Sequence, residues 1–131
     1  MQKLLLPMIG MLTVALASGC GSVKSPAAVA NDVAIAQQQA STQVTDAQKE
    51  AAKEVDSVAA KGDHTSKDVH DAGASASYEV AIAQAEGDHN VAIQKCSAQK
   101  GLALKSCNEQ ADASFEQAKT HANVIRLSKL E

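Results

Sequence analysis

Valine returns every eleven residues at Val33, Val44 and Val55, inside a stretch from Val29 to Ala60 that holds neither glycine nor proline. Two further rows keep the same step: Ala36, Ala47 and Val58, and Val29, Ala40 and Ala51. Interleaved, these positions form one stripe with steps of three and four. An eleven-residue repeat has 3.67 residues per turn, so the stripe runs almost straight along one side of a helix. The other positions are rich in Ala, Gln, Lys and Glu, which are good helix formers. The spacing predicts a helix over 29–61, a rod of roughly 48 Å. A seam of Val and Ala lets two helices approach closely, but each residue removes little area from water.

Large apolar side chains are scarce. From Cys20 onward, Leu, Ile, Val and Phe number 19 of 112 residues, while Ala alone numbers 24. A packed globular core takes more than this. The same scarcity argues against an enzyme with an enclosed pocket, since deep pockets are built mainly from large apolar side chains. Residues 1–19 hold 12 of the chain's 59 hydrophobic residues, at its highest density of large apolar side chains. There Lys3 supplies positive charge, and Leu4 to Leu16 is apolar apart from Pro7, Gly10 and Thr13. This is the pattern of an export signal. The run is too short to cross a bilayer comfortably, which takes about 20 residues.

The run ends Leu16-Ala17-Ser18-Gly19-Cys20, which resembles the lipobox of bacterial lipoproteins, with Ala17 where Leu is commoner. The resemblance implies that 1–19 is removed and that Cys20 is lipidated, fixing the chain to a membrane through acyl chains. Several acyl chains anchor stably where one is marginal. Gly21 follows the cysteine; an Asp there would favour inner-membrane retention, so the resemblance points to the outer membrane, facing the periplasm. Residues 20–28 become a short tether, with Pro26 suited to an extended segment or a helix start. Three cysteines are odd for an exported chain. With Cys20 acylated, the resemblance leaves Cys96 and Cys107 to form a disulfide in an oxidising compartment. Without Lys3 the chain carries 11 Lys and Arg against 15 Asp and Glu, a balance that offers nucleic acid no basic patch.

Residues 62–77, with Gly62, Gly73 and clustered Asp, Ser and Thr, read as a linker, a loop or weak helix. Two helical stripes follow within 78–127. The first is Tyr78, Ala81/Ile82, Ala85, Asp88/His89, Ala92 and Cys96; the second is Leu104, Cys107, Ala111, Ser114/Phe115, Ala118, Ala122 and Ile125. Gly101 lies between them, where a left-handed, helix-ending residue is wanted. In a single continuous helix Cys96 and Cys107 would stand about 16 Å apart along the axis. A disulfide between them therefore requires the chain to fold back. In that register Ala92 faces Ala111, Asp88 faces Phe115, Ala85 faces Ala118, Ala81 faces Ala122 and Tyr78 faces Ile125. The expected fold is all-α: a long Ala-rich helix plus a disulfide-closed antiparallel hairpin, with a three-helix bundle and a homo-oligomer both open. Gly87 is costly inside a helix and is read as leaving room for Phe115; a simple weak spot is the alternative. His89 is read as a half-buried polar side chain.

The stretch Tyr78-Glu79-Val80-Ala81 with Cys96, ten residues, Cys107 and Ala111 resembles small Ala-rich, two-cysteine envelope proteins of proteobacteria, often grouped as TolA-like on composition. The match covers about 50 residues and leaves 29–60 outside. It implies location and shape, with no activity or cofactor. His64 and His70 with Asp63, Asp68 and Asp71 lack any recognised metal-ligand spacing, and no phosphate loop or nucleophile motif occurs. The expectation is a non-enzymatic outer-membrane lipoprotein serving as a periplasmic helical spacer or interaction module, without catalytic or metal residues. Two alternatives stand beside it: a stress protectant like late-embryogenesis proteins, suggested by TDAQKEAAKEV at 45–55, and a spacer like murein lipoprotein. The latter attaches through a C-terminal Lys, whereas this sequence reads Lys129-Leu130-Glu131.

Overall fold

Ser25 opens the first helix: its hydroxyl oxygen accepts the N–H of Ala28 at 3.2 Å, and Pro26 takes a first-turn position where its missing N–H costs nothing. A computed structural model describes residues 23–130; residues 1–19, read above as an export signal, and Cys20 lie outside the described residues. The described residues form three helices: α1 (Pro26–Ala59), α2 (Ser66–Cys96) and α3 (Gly101–Ser128). The fold is all-α, as the periodicity predicts. Helix α1 starts at Pro26, three residues before the Val29 that the spacing predicts.

The eleven-residue stripe is the packing face of α1. Ala36, Ala40 and Ala51 are buried, and Val29, Val33, Val44, Ala47, Val55 and Val58 are half-buried. Every other residue of α1 is exposed except Asp32, whose carboxylate meets Lys24 Nζ at 2.7 Å. The stripe lies against α2 of the same chain. Ala40 sits against Gly87, and Val55 shares a groove with Gly73 and Ala76, so α1 and α2 run antiparallel.

Helix α2 is the middle element. It packs on α1 and on α3, while α1 and α3 do not contact each other among the described residues. This explains why α2 lacks one clear apolar side: its buried positions serve two neighbours. The buried apolar residues are all small: Ala36, Ala40, Ala51, Ala72, Ala74, Ala76, Ala85, Ala111 and Ala122, with Cys96. The three helices are held by close approach of thin seams, in place of a core of large side chains.

The linker read over 62–77 is corrected. The non-helical connection is confined to residues 60–65, and α2 begins at Ser66. No residue from Asp71 to Tyr78 is exposed, and Ala74 is 1% accessible. Ala72, Ala74 and Ala76 are buried against the neighbouring helices, and their high helix propensity together with this packing outweighs Gly73 and the serines, although a Cβ at Gly73 would meet nothing within 4 Å. A local signal was also present. Thr65 caps the helix, accepting the N–H of Asp68 at 3.2 Å, while the Asp68 carboxylate accepts the N–H of Thr65 at 2.6 Å. Such a reciprocal box is written in the sequence as Thr-x-x-Asp.

Candidate functional site: the disulfide end

Cys96 closes α2, residues 97–100 turn, and Gly101 opens α3 with φ +55°. The left-handed conformation expected of Gly101 is present, but it serves the start of α3; α2 has already ended at Cys96. Cys96 and Cys107 form a disulfide with Cα atoms 5.6 Å apart, and Cys96 is 2% exposed. The bond ties the two arms of the hairpin one turn from its tip.

The mirror register holds along the hairpin, with small local slips. His89, more than the exposed Asp88, faces Phe115: the two rings stack with centroids 4.9 Å apart. His89 Nε2 also lies 2.7 Å from Asp112 Oδ1. Arg126, next to the expected Ile125, places its guanidinium 4.9 Å from the Tyr78 ring centroid. Lys129 Nζ donates to Ser77 Oγ at 2.7 Å. Lys119 Nζ stands 5.0 Å over the Phe115 ring, a cation–π contact. A shallow groove of about 430 Å³ follows this face, floored by Ala85, Ala92, Ala111 and Ala118 and crossed by His89 and Phe115.

The reading of Gly87 as room for Phe115 is corrected. A Cβ at Gly87 would meet Ala40 Cβ at 2.5 Å and Ala40 Cα at 3.1 Å. The space is used by α1, on the other side of α2 from the hairpin seam. The hairpin alone could not reveal this, because the partner is in the segment outside its repeat.

Charge is divided along the rod. From His89 to Asn108 there are three lysines, Lys95, Lys100 and Lys105, and no Asp or Glu. All three are exposed, and Leu102 between them is 86% exposed. Lys105 lies 3.7 Å from Glu109. Val23 and Lys24, just before α1, share a groove with Ile93, Ser97, Lys100 and Leu104. The start of α1 and the hairpin tip therefore occupy the same end of the molecule. The opposite end, residues 54–71, carries Glu54, Asp56, Asp63, Asp68 and Asp71 against Lys61 and Lys67.

Of the residues considered for metal, Asp68 caps α2 and Asp71 pairs with Lys67 at 2.5 Å. The Thr65 backbone N–H and hydroxyl hold the Asp68 carboxyl below its ordinary pKa of 3.8. Among the described residues no three His, Cys, Asp or Glu side chains gather as a metal-holding group. No described helix is long and apolar enough to cross a membrane. No protein-family model matches the sequence, no curated protein matches it, and no solved structure matches the chain.

Proposed function

We propose that this protein is a non-enzymatic outer-membrane lipoprotein, anchored through acyl chains on Cys20, that acts as a periplasmic helical spacer or protein-interaction module. The observation that carries the reading is the position of Cys20 relative to a rod. It lies three residues before Val23, at one end of an α1 that is about 51 Å long for 34 residues. An anchor at the end of a stiff helix is what a spacer requires. The seams of alanine support the same reading, since close-packed antiparallel helices resist bending without needing a large core. The valine stripe of α1 is covered by α2 of the same chain, which supports reading the rod as a folded unit.

The test is isolation from bacterial membranes after crosslinking in intact cells, followed by mass spectrometry. Acylated Cys20 at the mature N-terminus, with a defined envelope protein crosslinked to the helices, is the expected result. An unmodified Cys20, or a retained 1–19 segment, overturns the reading.

A further inference from the structure

We infer that the disulfide tip is a membrane-contacting foot: Leu102 enters the surface of an anionic phospholipid layer, and Lys95, Lys100 and Lys105 engage its headgroups. This inference rests on the lipid anchor at Cys20 and adds the surface that the anchor presses against the membrane.

Three observations converge on it. The first is chain reach. Two residues, Gly21 and Ser22, separate Cys20 from Val23, so at full extension over three peptide steps the anchored cysteine stays within about 11 Å of Val23. Val23 in turn shares its groove with Lys100 and Leu104 of the hairpin tip. The second is Leu102. It is 86% exposed in the first turn of α3, while Leu104, two residues on, is half-buried. A large apolar side chain this exposed at the start of α3, beside a short turn in a disulfide-closed hairpin, contributes nothing to the packing of the three helices. The third is charge. The tip carries three lysines with no carboxylate between His89 and Asn108, on a chain whose balance is otherwise acidic. Clustered lysines near an anionic lipid surface are attracted within a screening length, about 8–10 Å in physiological salt. The anchor keeps Val23, and with it the groove it shares with Lys100, close to the surface. Helices α1 and α3 begin at this end and α2 ends there, so two positive dipole ends against one negative leave a net positive contribution.

The opposite end has the reverse character. Its five carboxylates against two lysines are repelled by the same surface. The rod therefore stands on its tip, with the connection at residues 60–65 directed away from the membrane.

The chain contains no tryptophan, so one introduced residue reports its surroundings without background. The test places Leu102→Trp and, separately, Lys61→Trp in the full lipidated protein. Each is reconstituted into vesicles of phosphatidylethanolamine with phosphatidylglycerol, or of phosphatidylcholine alone. The expected result is emission at shorter wavelength, with loss of quenching by aqueous iodide, for Leu102→Trp in the anionic vesicles only. Lys61→Trp keeps water-like emission throughout. Combining Leu102→Trp with Lys95→Glu, Lys100→Glu and Lys105→Glu should abolish the shift. Water-like emission from acylated Leu102→Trp in anionic vesicles overturns the inference. So does a shift that survives charge reversal, or an equal shift at Lys61→Trp, which means the rod lies flat. A shift seen in native membranes but absent from pure lipid also overturns it and assigns the tip to a protein partner. Mass spectrometry of Cys20 on the same samples separates the two ideas. If Cys20 proves unmodified, the anchor reading fails, and the unacylated chain mixed with the same vesicles still decides the tip by the same shift.

Discussion

Ala40 of α1 and Gly87 of α2 approach so closely that a Cβ on Gly87 would lie 2.5 Å from that of Ala40. The missing side chain sets the distance between the two helices. Gly87→Ala gains about 1 kcal/mol of helix propensity and loses about 1–3 kcal/mol to overpacking. The expected balance is destabilisation, read as a lower thermal midpoint. Ala40→Gly placed in the same chain should recover much of the packing loss, giving a clear coupling in a double-mutant cycle. A higher midpoint for Gly87→Ala alone would mean that α1 does not sit on α2 at this level.

The Cys96–Cys107 bond closes a short loop between two helices that touch along alanine seams. Removing it by Cys96→Ser with Cys107→Ser should cost about 2–3 kcal/mol, because little large-side-chain burial compensates. Urea unfolding of the oxidised protein and of the double variant measures this. Equal midpoints would show that the hairpin is held without its cross-link.

Ala74 is 1% accessible and Ala103 is exposed, although both are helical alanines. Ala74→Leu should destabilise by about 1–3 kcal/mol by forcing packed helices apart. Ala103→Leu should change stability by less than about 0.5 kcal/mol. Circular dichroism melts of the two variants make the comparison. Equal tolerance would return residues 71–77 to the status of a loose connection.

The carboxylate of Asp68 closes the start of α2. Its pKa in the folded chain is lowered by Thr65, so its contribution is present above the unfolded value and is lost as pH falls through the lower folded value. The beginning of α2 should therefore weaken only in acid, below about pH 4. Asp68→Asn should remove that acid-dependent component, seen as a flatter dependence of stability on pH across the same window. Thr65→Ala should cost about 1 kcal/mol through the lost cap. An unshifted carboxyl resonance titration for Asp68 would contradict the capping geometry.

Much of the fold was legible from spacing. The nine-residue stripe of 29–60 is the face that α1 packs, and the mirrored stripes around Gly101 match the arms that Cys96 and Cys107 join. Periodicity carries this information because a helix places residues three and four apart on one side whatever they pack against. Residues 62–77 were misread for a related reason. Gly73 and the serines near it carry a local turn signal, while the burial of Ala72, Ala74 and Ala76 comes from the helices packed on α2. The capping pair Thr65 and Asp68 was the local sign of a helix start and outweighs the glycine.

By itself the sequence determined that the chain is helical, which residues form its seams, and that the hairpin turns near Gly101. These follow from local geometry and from the narrow choice of apolar side chains. Only the tertiary structure decided that α1 lies on α2, that Gly87 makes room for Ala40 and not for Phe115, and that the start of α1 shares an end with the hairpin tip. A seam of alanines specifies close approach without naming its partner, because a methyl group fits against many neighbours equally well. The partner is set by the summed fit of the whole face, and that sum exists only in the folded chain.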